Sequence, residues 1–343
     1  MGRSYREAGV DVEEARRAVE LIGRAAASTL TPAVLGGVGG FGSLFRLDPA
    51  PYPDPVLVAS TDGVGTKLKV AIALERHDTI GVDLVHHCIN DIAVQGADPL
   101  FFMDYLATAH LRAEVAEEIV GGIANACAAA GVALVGGETA ELPDLYQGDD
   151  YDLAGFIVGV VARKDVIDGH QVRAGDALIG LPSSGLHTNG YSLARRILPE
   201  RDWRSSAPGI ERTLGDALLE PHRSYLDEIR ILRRALRAAD GDLLALAHLT
   251  GGGWVDNIPR TLPDGLGVEV ETGSWHVPRI FSLIQERGDI ADDEMVRTFN
   301  LGIGLTAVVR PELADAALAA VADAVRVGTV VPVEDGRPRV SFL

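Results

Sequence analysis

The chain contains 343 residues, of which 47% are hydrophobic, so two domains of ordinary size with substantial cores are expected. Its formal net charge of −18 argues against general nucleic-acid binding, because that function requires a positively charged surface. No stretch approaches the roughly 18 consecutive apolar residues of a membrane-spanning helix. The first residues also lack the apolar core of a signal peptide, and we therefore expect a cytoplasmic protein without a membrane partner.

The two cysteines, Cys88 and Cys127, lie far apart in the sequence. No spacing of cysteine and histidine resembles that of a zinc site, so both cysteines are interpreted as reduced thiols. The sequence therefore predicts neither a disulfide framework nor a zinc-binding motif.

The first half of the chain alternates helical and strand patterns. An N-cap at Asp11, followed by Glu13 and Glu14, indicates the start of the first helix. Short apolar runs that end at glycine indicate strands. The patterns predict helices over 11–28, 66–76, 79–95 and 113–130, and strands over 56–59, 101–107, 132–135 and 153–162.

A polar, glycine-containing stretch over 165–175 marks the predicted boundary between an N-terminal domain, residues 1–168, and a C-terminal domain, residues 169–343. Strands mixed with helices in both halves predict domains of the α/β or α+β class. In the second domain the patterns predict strands over 177–181, 267–271, 304–309, 329–332 and 339–342, and helices from residue 191 and over 225–238, 278–287 and 311–324.

The predicted helix over 79–95 carries polar residues on one side. At about 100° per residue, Asp83, His87, Asn90 and Asp91 fall near one another on a single arc. Burying Asp91 without a partner would destabilise the fold by several kcal/mol, so a cation or a ligand is expected beside it. A solvated helix face is the alternative interpretation. His87, like its neighbour His86, is interpreted as a surface residue and not as a ligand.

Two glycine-rich segments with a carboxylate follow predicted strands. In residues 61–67, Asp62 is a candidate Mg²⁺ ligand, and the backbone N–H groups that follow are candidate phosphate donors. Residues 136–139 place Glu138 at the end of another strand. Together with Asp91, these carboxylates would suit Mg²⁺ bound to a nucleoside triphosphate. An ordinary strand–helix turn is the alternative for residues 61–67.

Two loops in the second half also have candidate binding functions. The first, residues 183–190, is rich in hydrogen-bonding side chains, and the second, residues 250–253, follows His248. Either loop is a candidate phosphate cradle through its backbone N–H groups. Two ordinary turns, in which His187 and His248 are structural residues, are the alternative.

These motifs, in this order, closely resemble those of the phosphoribosylformylglycinamidine cyclo-ligase family, also called aminoimidazole ribonucleotide synthetases. Residues 91–99 alone carry the Asp-x4-Gly-Ala-x-Pro pattern of a wider superfamily, which includes selenophosphate synthetase and thiamine-monophosphate kinase. The resemblance covers essentially the whole chain. The matching segments are 4–11, 36–42, 61–67, 91–99, 135–141, 183–192, 248–259 and 297–300.

The resemblance implies a two-domain α/β fold and a homodimer in which N-terminal strands of both subunits form a barrel. It also implies ATP-dependent closure of formylglycinamidine ribonucleotide to aminoimidazole ribonucleotide, a step of de novo purine synthesis that releases ADP and phosphate. The implied cofactors are ATP and Mg²⁺, and the implied partners are the small-molecule substrate and a second copy of the chain.

The resemblance assigns roles to individual residues as well. The implied Mg²⁺ ligands are Asp62, Asp91 and Glu138. The implied ATP contacts are Gly39, Gly40, Phe41, Asp62, Gly63, Thr66, Asn90 and Glu138. The implied catalytic residues are Asp91, His187 and Lys67, of which Lys67 is expected to contact phosphate. The implied substrate contacts are Ser184, Asn189, Thr250 and Gly251.

Two other functions stay open on the sequence. One is a phosphotransferase of the same superfamily, such as a small-molecule kinase or selenophosphate synthetase. The latter usually has a reactive cysteine near its N terminus, whereas the first cysteine here is Cys88, inside a predicted helix. The other is a non-enzymatic nucleotide-binding protein, which explains less well why donor-rich loops occur in both halves.

Overall fold

The computed structural model describes residues 12–36 and 40–343, which form two compact units. The first unit comprises the described residues up to Ile92 together with Ala97–Lys164, and the second comprises Ala93–Gly96 and Asp165–Leu343. Both units combine helices with a β-sheet, so the predicted α/β fold class is confirmed. The chain passes between the units at Lys164/Asp165, near the predicted domain boundary at 168/169.

The first unit is built on a four-stranded sheet in the order β1-β4-β2-β3. Neighbouring strands are antiparallel except β2 and β3, which are parallel and are connected through α4. The strands are β1 (Pro55–Gly63), β2 (Asp98–Thr108), β3 (Ala133–Glu141) and β4 (Tyr151–Ala162). The helices are α1 (Val12–Ala27), α2 (Leu68–Leu74), α3 (Ile80–Ala93) and α4 (Ala113–Ala130).

Helix α3 packs closely on one face of this sheet because β4 has a glycine beneath it. A Cβ atom at Gly155 would lie 3.0 Å from Cγ of Leu84 and 3.2 Å from Sγ of Cys88, and it would overlap the ring of Phe102. These neighbours are fully buried, so the apolar side of α3 forms part of the core. The polar side of α3 is therefore fixed in orientation relative to the adjacent strands.

Two strands of the first unit continue well past their predicted ends. The segment 61–63, expected to be a turn, continues β1, since Thr61 to Gly63 stay in register with Phe156 to Ala154 of β4. The segment after Val135 continues β3, which pairs with β2 as far as Glu141. Pairing with a neighbouring strand outweighs the local turn preference of glycine, and local sequence does not reveal such pairing.

The second unit has a six-stranded sheet in the order β12-β9-β11-β5-β10-β8 and a separate hairpin of β6 and β7. Its strands are β5 (Ala177–Pro182), β6 (Ser206–Ala207), β7 (Ile210–Thr213), β8 (Ala245–His248), β9 (Leu266–Val270), β10 (Ile303–Val309), β11 (Val325–Pro332) and β12 (Val340–Phe342). Its helices are α5 (Tyr191–Ile197), α6 (Leu214–Leu218), α7 (Leu226–Ala238), α8 (Gly253–Asn257), α9 (Arg279–Gly288), α10 (Asp292–Thr298) and α11 (Ala314–Ala320).

The central strands of this sheet bring two distant loops to the same edge. Pro182, at the end of β5, pairs with Ile303 of β10, and His248, at the end of β8, pairs with Leu305 on the other side of β10. The loops after β5 and β8 therefore begin next to each other. The sequence patterns do not predict the short strand β8, because four residues are too few for a recognisable strand pattern.

No helix among the described residues is long and apolar enough to cross a membrane.

Candidate active site

A cluster of two carboxylates and an imidazole lies between β1 and α3 in the first unit. The Nε2 atom of His87 lies 2.9 Å from Oδ2 of Asp62 and 3.7 Å from Oδ2 of Asp91. The hydroxyl of Ser60 donates a hydrogen bond of 3.2 Å to Asp91. The side chains of Asp62 and Asp91 are 45% and 25% exposed, so an external cation or ligand can reach both carboxylates.

The side-chain repeats of the strand and of the helix explain why these side chains meet. Ser60 and Asp62 are two residues apart on β1 and therefore point to the same face of the sheet, towards α3. His87 and Asp91 are four residues apart on α3 and therefore lie on one side of the helix. The predicted polar arc thus faces the end of β1.

The interpretation of His87 as a surface residue is wrong. Its side chain is buried, and it lies between the two carboxylates that the sequence singles out. Burial disfavours the charged imidazole, but the hydrogen bond to Asp62 and the charge of Asp91 together raise the pKa of His87 above its ordinary value. His86 is half-buried. The helical period already contained a signal for His87, since it placed this residue on the same arc as Asp91.

Lys67 has an internal partner in place of the predicted phosphate. Its Nζ atom lies 2.8 Å from both carboxylate oxygens of Asp83, and both side chains are fully buried. A phosphate contact would require this ion pair to open, so the structure corrects the predicted role. Lys67 attaches the segment after β1 to α3. Asn90, the residue before Asp91, is also fully buried.

The remaining predicted ATP contacts at the end of β1 are Gly63, the half-buried last residue of this strand, and Thr66. The N–H of Gly63 donates a hydrogen bond of 2.7 Å to Oδ1 of Asp62, so this amide is already used within the chain. Thr66 is exposed in a short 3₁₀ turn, Gly65–Lys67, that leads into α2.

Glu138 lies in a different part of the first unit. An open pocket on the sheet face opposite α3 is lined by several predicted ATP contacts and by apolar side chains, among them Gly40, Phe41, Tyr105, Glu138 and Phe156. The pocket thus brings Gly40, Phe41 and Glu138 together, and their roles in binding ATP stay a prediction. Gly39 lies outside the described residues.

The sheet separates Glu138 from Asp62. Their strands, β3 and β1, are the two edges of the sheet, and three strand spacings amount to about 14 Å. The register aligns Asp62 with Gly155, Gly155 with Asp104, and Asp104 with Gly137, so Glu138 points to the opposite face from Asp62. The predicted grouping of Glu138 with Asp62 and Asp91 is therefore not formed within one chain.

The second unit contains a cluster of three buried histidines. The Nε2 atoms of His222 and His248 lie 2.9 Å apart, which is hydrogen-bond distance. The rings of His187 and His222 are stacked, with centroids 3.9 Å apart. Thr188 Oγ1 lies 3.4 Å from Nδ1 of His222. We refer to His187, His222 and His248 as the histidine cluster.

Backbone conformation and a glycine position this cluster. His187 has a φ of 61°, in the left-handed region, and its Nε2 atom accepts a 3.3 Å hydrogen bond from the N–H of Ser184. A Cβ atom at Gly304 on β10 would overlap His187 and the Tyr225 hydroxyl, so only glycine permits this approach. His222 belongs to no sequence motif, and only the tertiary structure reveals its contacts with the other two histidines.

The predicted substrate contacts come together around the same loops. The side chain of Asn257 donates hydrogen bonds of 3.3 Å and 3.1 Å to the carbonyls of Thr250 and Gly251. A Cβ atom at Gly251 would lie 3.4 Å from Oδ1 of Asn189, so the two loops touch. The hydroxyl of Ser184 donates to the carbonyl of Pro221 at 2.5 Å. These residues form one group of polar atoms at the end of β5 and β8.

Asn300 ties the first of these loops to the core and was not among the predicted site residues. Its side chain donates a 2.9 Å hydrogen bond to the carbonyl of Gly185 and accepts one of 3.0 Å from Ser183. Its own carbonyl accepts a 3.0 Å hydrogen bond from the indole of Trp254. The segment 297–300 resembles the family pattern, which is the signal that could have identified this residue.

Two family models match the chain, one to each unit. The model described as AIR synthase related protein, N-terminal domain, matches residues 46–161, and the corresponding C-terminal domain model matches residues 173–341.

Among solved structures, the hydrogenase maturation protein HypE superposes with a TM-score of 0.66 at 19% identity, covering 93% of this chain and 92% of that one. Thiamine-monophosphate kinase from Stenotrophomonas maltophilia K279a superposes with a TM-score of 0.65 at 19% identity, covering 94% and 95%. These similarities show that the chain has the AIR synthase-like fold.

Curated relatives match at much higher identity. The phosphoribosylformylglycinamidine cyclo-ligase of Desulfitobacterium hafniense (strain DSM 10664 / DCB-2) is 53% identical, covering 92% of this chain and 91% of that protein. The enzyme of the same name from Anaeromyxobacter dehalogenans (strain 2CP-1 / ATCC BAA-258) is 54% identical, covering 98% and 97%. The resemblance seen in the sequence is confirmed, and the chain belongs to the phosphoribosylformylglycinamidine cyclo-ligase family.

Proposed function

We propose that this chain is an ATP-dependent ligase that closes formylglycinamidine ribonucleotide to aminoimidazole ribonucleotide and releases ADP and phosphate. The observation that carries the proposal is the identity of about one half to curated cyclo-ligases over nearly the whole length of both chains. The reaction is a step of purine biosynthesis.

The chemistry explains why ATP is needed. An amide oxygen is a poor leaving group, so transfer of the terminal phosphoryl group of ATP to the formyl oxygen would activate the adjacent carbon. The neighbouring amidine nitrogen then attacks this carbon, and the carbon–oxygen bond breaks to release phosphate. The protein contributes mainly by positioning the reactants and by neutralising phosphate charge.

Asp62 and Asp91 are the residues that fit a magnesium ion. Both present partly exposed carboxylate oxygens beside the same imidazole, and oxygen is the ligand that Mg²⁺ prefers. A Mg²⁺ ion bound there would neutralise the phosphates of ATP. His87 would hold the two carboxylates in position, and Ser60 would orient Asp91.

The polar loops of the second unit are proposed to bind the substrate. Ser184, Asn189, Thr250 and Gly251 lie on the two loops that touch at Asn189 and Gly251, and they offer hydroxyl, amide and backbone groups to a phosphate or ribose. Asn257 and Asn300 would support these loops through the hydrogen bonds described above.

We also propose a homodimer formed through the open face of the four-stranded sheet. Leu57 and Phe156 on this face are 61% and 46% exposed, and Phe41, which lines the same pocket as Phe156, is exposed as well. Large exposed apolar side chains grouped in this way are typical of an interface. A second copy on this face would cover them and would place its own residues next to Glu138.

A cytoplasmic location completes the proposal. Cys88 and Cys127 are free and buried, and burial raises the pKa of both thiols above the ordinary value. Free thiols are usual in a reducing compartment.

Asp91→Asn tests the catalytic proposal. We expect at least about a 100-fold lower kcat for ADP and product formation, because an amide replaces an anionic ligand of nearly the same shape. The exposed Asp149→Asn is the matched control, since it removes one carboxylate of the same unit. Circular dichroism should be the same for wild type and Asp91→Asn, which shows that the variant is folded. Near-normal turnover would remove Asp91 from the mechanism.

The same assay separates the other functions. Equal ADP release with thiamine monophosphate as the acceptor would favour a small-molecule kinase. ATP binding by calorimetry, without hydrolysis in the presence of formylglycinamidine ribonucleotide, would favour a non-enzymatic binding protein. We expect ADP release that depends on formylglycinamidine ribonucleotide alone.

A further inference from the structure

The histidine cluster has the composition of a transition-metal site. One ring nitrogen from each of its three members lies within 4.8 Å of the corresponding atoms of the other two. We propose that His187, His222 and His248 bind one divalent metal ion of the zinc type. This proposal concerns only the second unit and does not depend on the catalytic function proposed above.

The spacing suits three bonds to one ion. Zinc–nitrogen bonds of about 2.0–2.1 Å place tetrahedral ligand atoms about 3.3–3.4 Å apart. The 2.9 Å between the Nε2 atoms of His222 and His248 is slightly shorter, and the largest separation in the cluster, up to 4.8 Å, is longer. Coordination would therefore require side-chain rotations, which include turning the stacked ring of His187 or His222 so that its lone pair points to the ion.

The donor chemistry selects the metal. Three imidazoles and no carboxylate form the cluster, and imidazole prefers zinc, copper, nickel or cobalt over magnesium. Three histidines with a fourth position left for another ligand is a known zinc arrangement. All three side chains are buried, so bulk water does not compete for their nitrogens.

The contact between His222 and His248 determines where the hydrogens of these two rings lie. Two imidazole Nε2 atoms at 2.9 Å share one proton, which one nitrogen donates and the other accepts. When both Nε2 lone pairs bind the ion, that hydrogen moves to Nδ1 of the same ring by exchange with solvent, so both rings stay neutral and no net proton is released. In the resulting state Nδ1 of His222 carries a hydrogen and faces Thr188 Oγ1, the kind of outer hydrogen-bond partner that a metal-bound histidine commonly has.

The fold holds two of the ligands in place before any ion arrives. His248 is paired with Leu305 in the central sheet, and His187 is held in a left-handed conformation by its loop. Gly304 leaves the space that the ring of His187 occupies. A site on such fixed elements loses little conformational freedom when it binds metal.

The test uses the full-length, untagged chain after dialysis against a chelator. Co²⁺ is titrated into the protein, and the visible absorption of tetrahedral cobalt is followed, with Zn²⁺ added afterwards as a competitor. We expect one equivalent of Co²⁺ per chain, displaced by Zn²⁺. His222→Gln should weaken binding by at least about tenfold, because it removes one of three ligands. The double variant His110→Gln/His170→Gln, which alters two exposed histidines, should titrate like wild type.

Two results would overturn the proposal. One is a cobalt titration of the folded His222→Gln variant identical to that of wild type. The other comes from zinc X-ray absorption on the wild-type protein, which does not depend on a variant folding. Three imidazole ligands per zinc are expected, and one or none would show that the histidine cluster is only a hydrogen-bonded group.

Discussion

The Nζ atom of Lys67 lies 2.8 Å from the carboxylate of Asp83, and solvent reaches neither side chain. A buried charge without its partner is strongly destabilising, whereas a pair replaced by apolar residues is often tolerated. We therefore expect Lys67→Met to lower the free energy of unfolding by about 3–5 kcal/mol, measured by urea denaturation. Lys164→Met, at an exposed lysine, is the control.

The double variant Lys67→Met/Asp83→Leu gives the complementary result. It should be more stable than Lys67→Met alone, because the buried carboxylate that faced Lys67 is removed as well. If Lys67→Met alone changed the free energy of unfolding by less than about 1 kcal/mol, the pair would not support the fold in the way described.

His87 should titrate above its ordinary pKa of 6.5, since Asp62 and Asp91 stabilise its charged form more than burial disfavours it. Its contribution to stability is then fully present below pH 6.5 and is lost as the pH rises through the raised pKa. The stability difference between wild type and His87→Gln should therefore be larger at low than at high pH.

NMR titration of the His87 imidazole measures its pKa directly. Asp62→Asn should lower it, and an unchanged pKa in that variant would contradict the assigned contact.

The stability of the fold should also depend on the titration of Asp104, whose pKa is raised by burial and not by a charged partner. Burial raises the pKa of this carboxyl from 3.8 to about 7, so the folded state holds a proton that the unfolded state releases. Stability should fall as the pH rises from about 4 to about 7. Asp104→Asn cannot ionise, and its stability relative to wild type should increase by about 2 kcal/mol between about pH 5.5 and about pH 8.

Urea denaturation at the two pH values measures this difference. Asp149→Asn is the control for the loss of one carboxylate, because Asp149 is exposed. A stability difference between Asp104→Asn and wild type that is the same at both pH values would show that Asp104 is ionised throughout.

Phe156 tests the proposed homodimer. Phe156→Asp places a charge on the open face of the sheet and should raise the dimer dissociation constant by at least about thirtyfold, as expected for a loss of about 2 kcal/mol at an interface. Sedimentation velocity over a range of concentrations measures the effect. Ile231→Asp, at an exposed apolar residue of the second unit, should leave the dimer intact. Equal dissociation constants for the two variants would argue against this face as the interface.

Helical periodicity is sufficient to predict which residues of a single helix lie on the same side. The helical period alone places Asp83, His87 and Asp91 on one arc, and the folded protein keeps this arc. The period does not tell whether the arc faces solvent or protein. The surface interpretation of His87 is wrong for that reason, because the burial of this residue depends on β1, which is distant in sequence.

The sequence by itself determined the family, the α/β class and the residue types available for chemistry, since these depend on motifs and short-range patterns. Only the tertiary structure decided which of those residues meet. Strand order separates Glu138 from Asp62, although both follow similar glycine-rich patterns. Pairing of β8 with β10 brings His248 into the histidine cluster, where it contacts His222, a residue without any motif. The physical reason is that long-range strand pairing and helix packing depend on contacts that no local stretch of sequence contains.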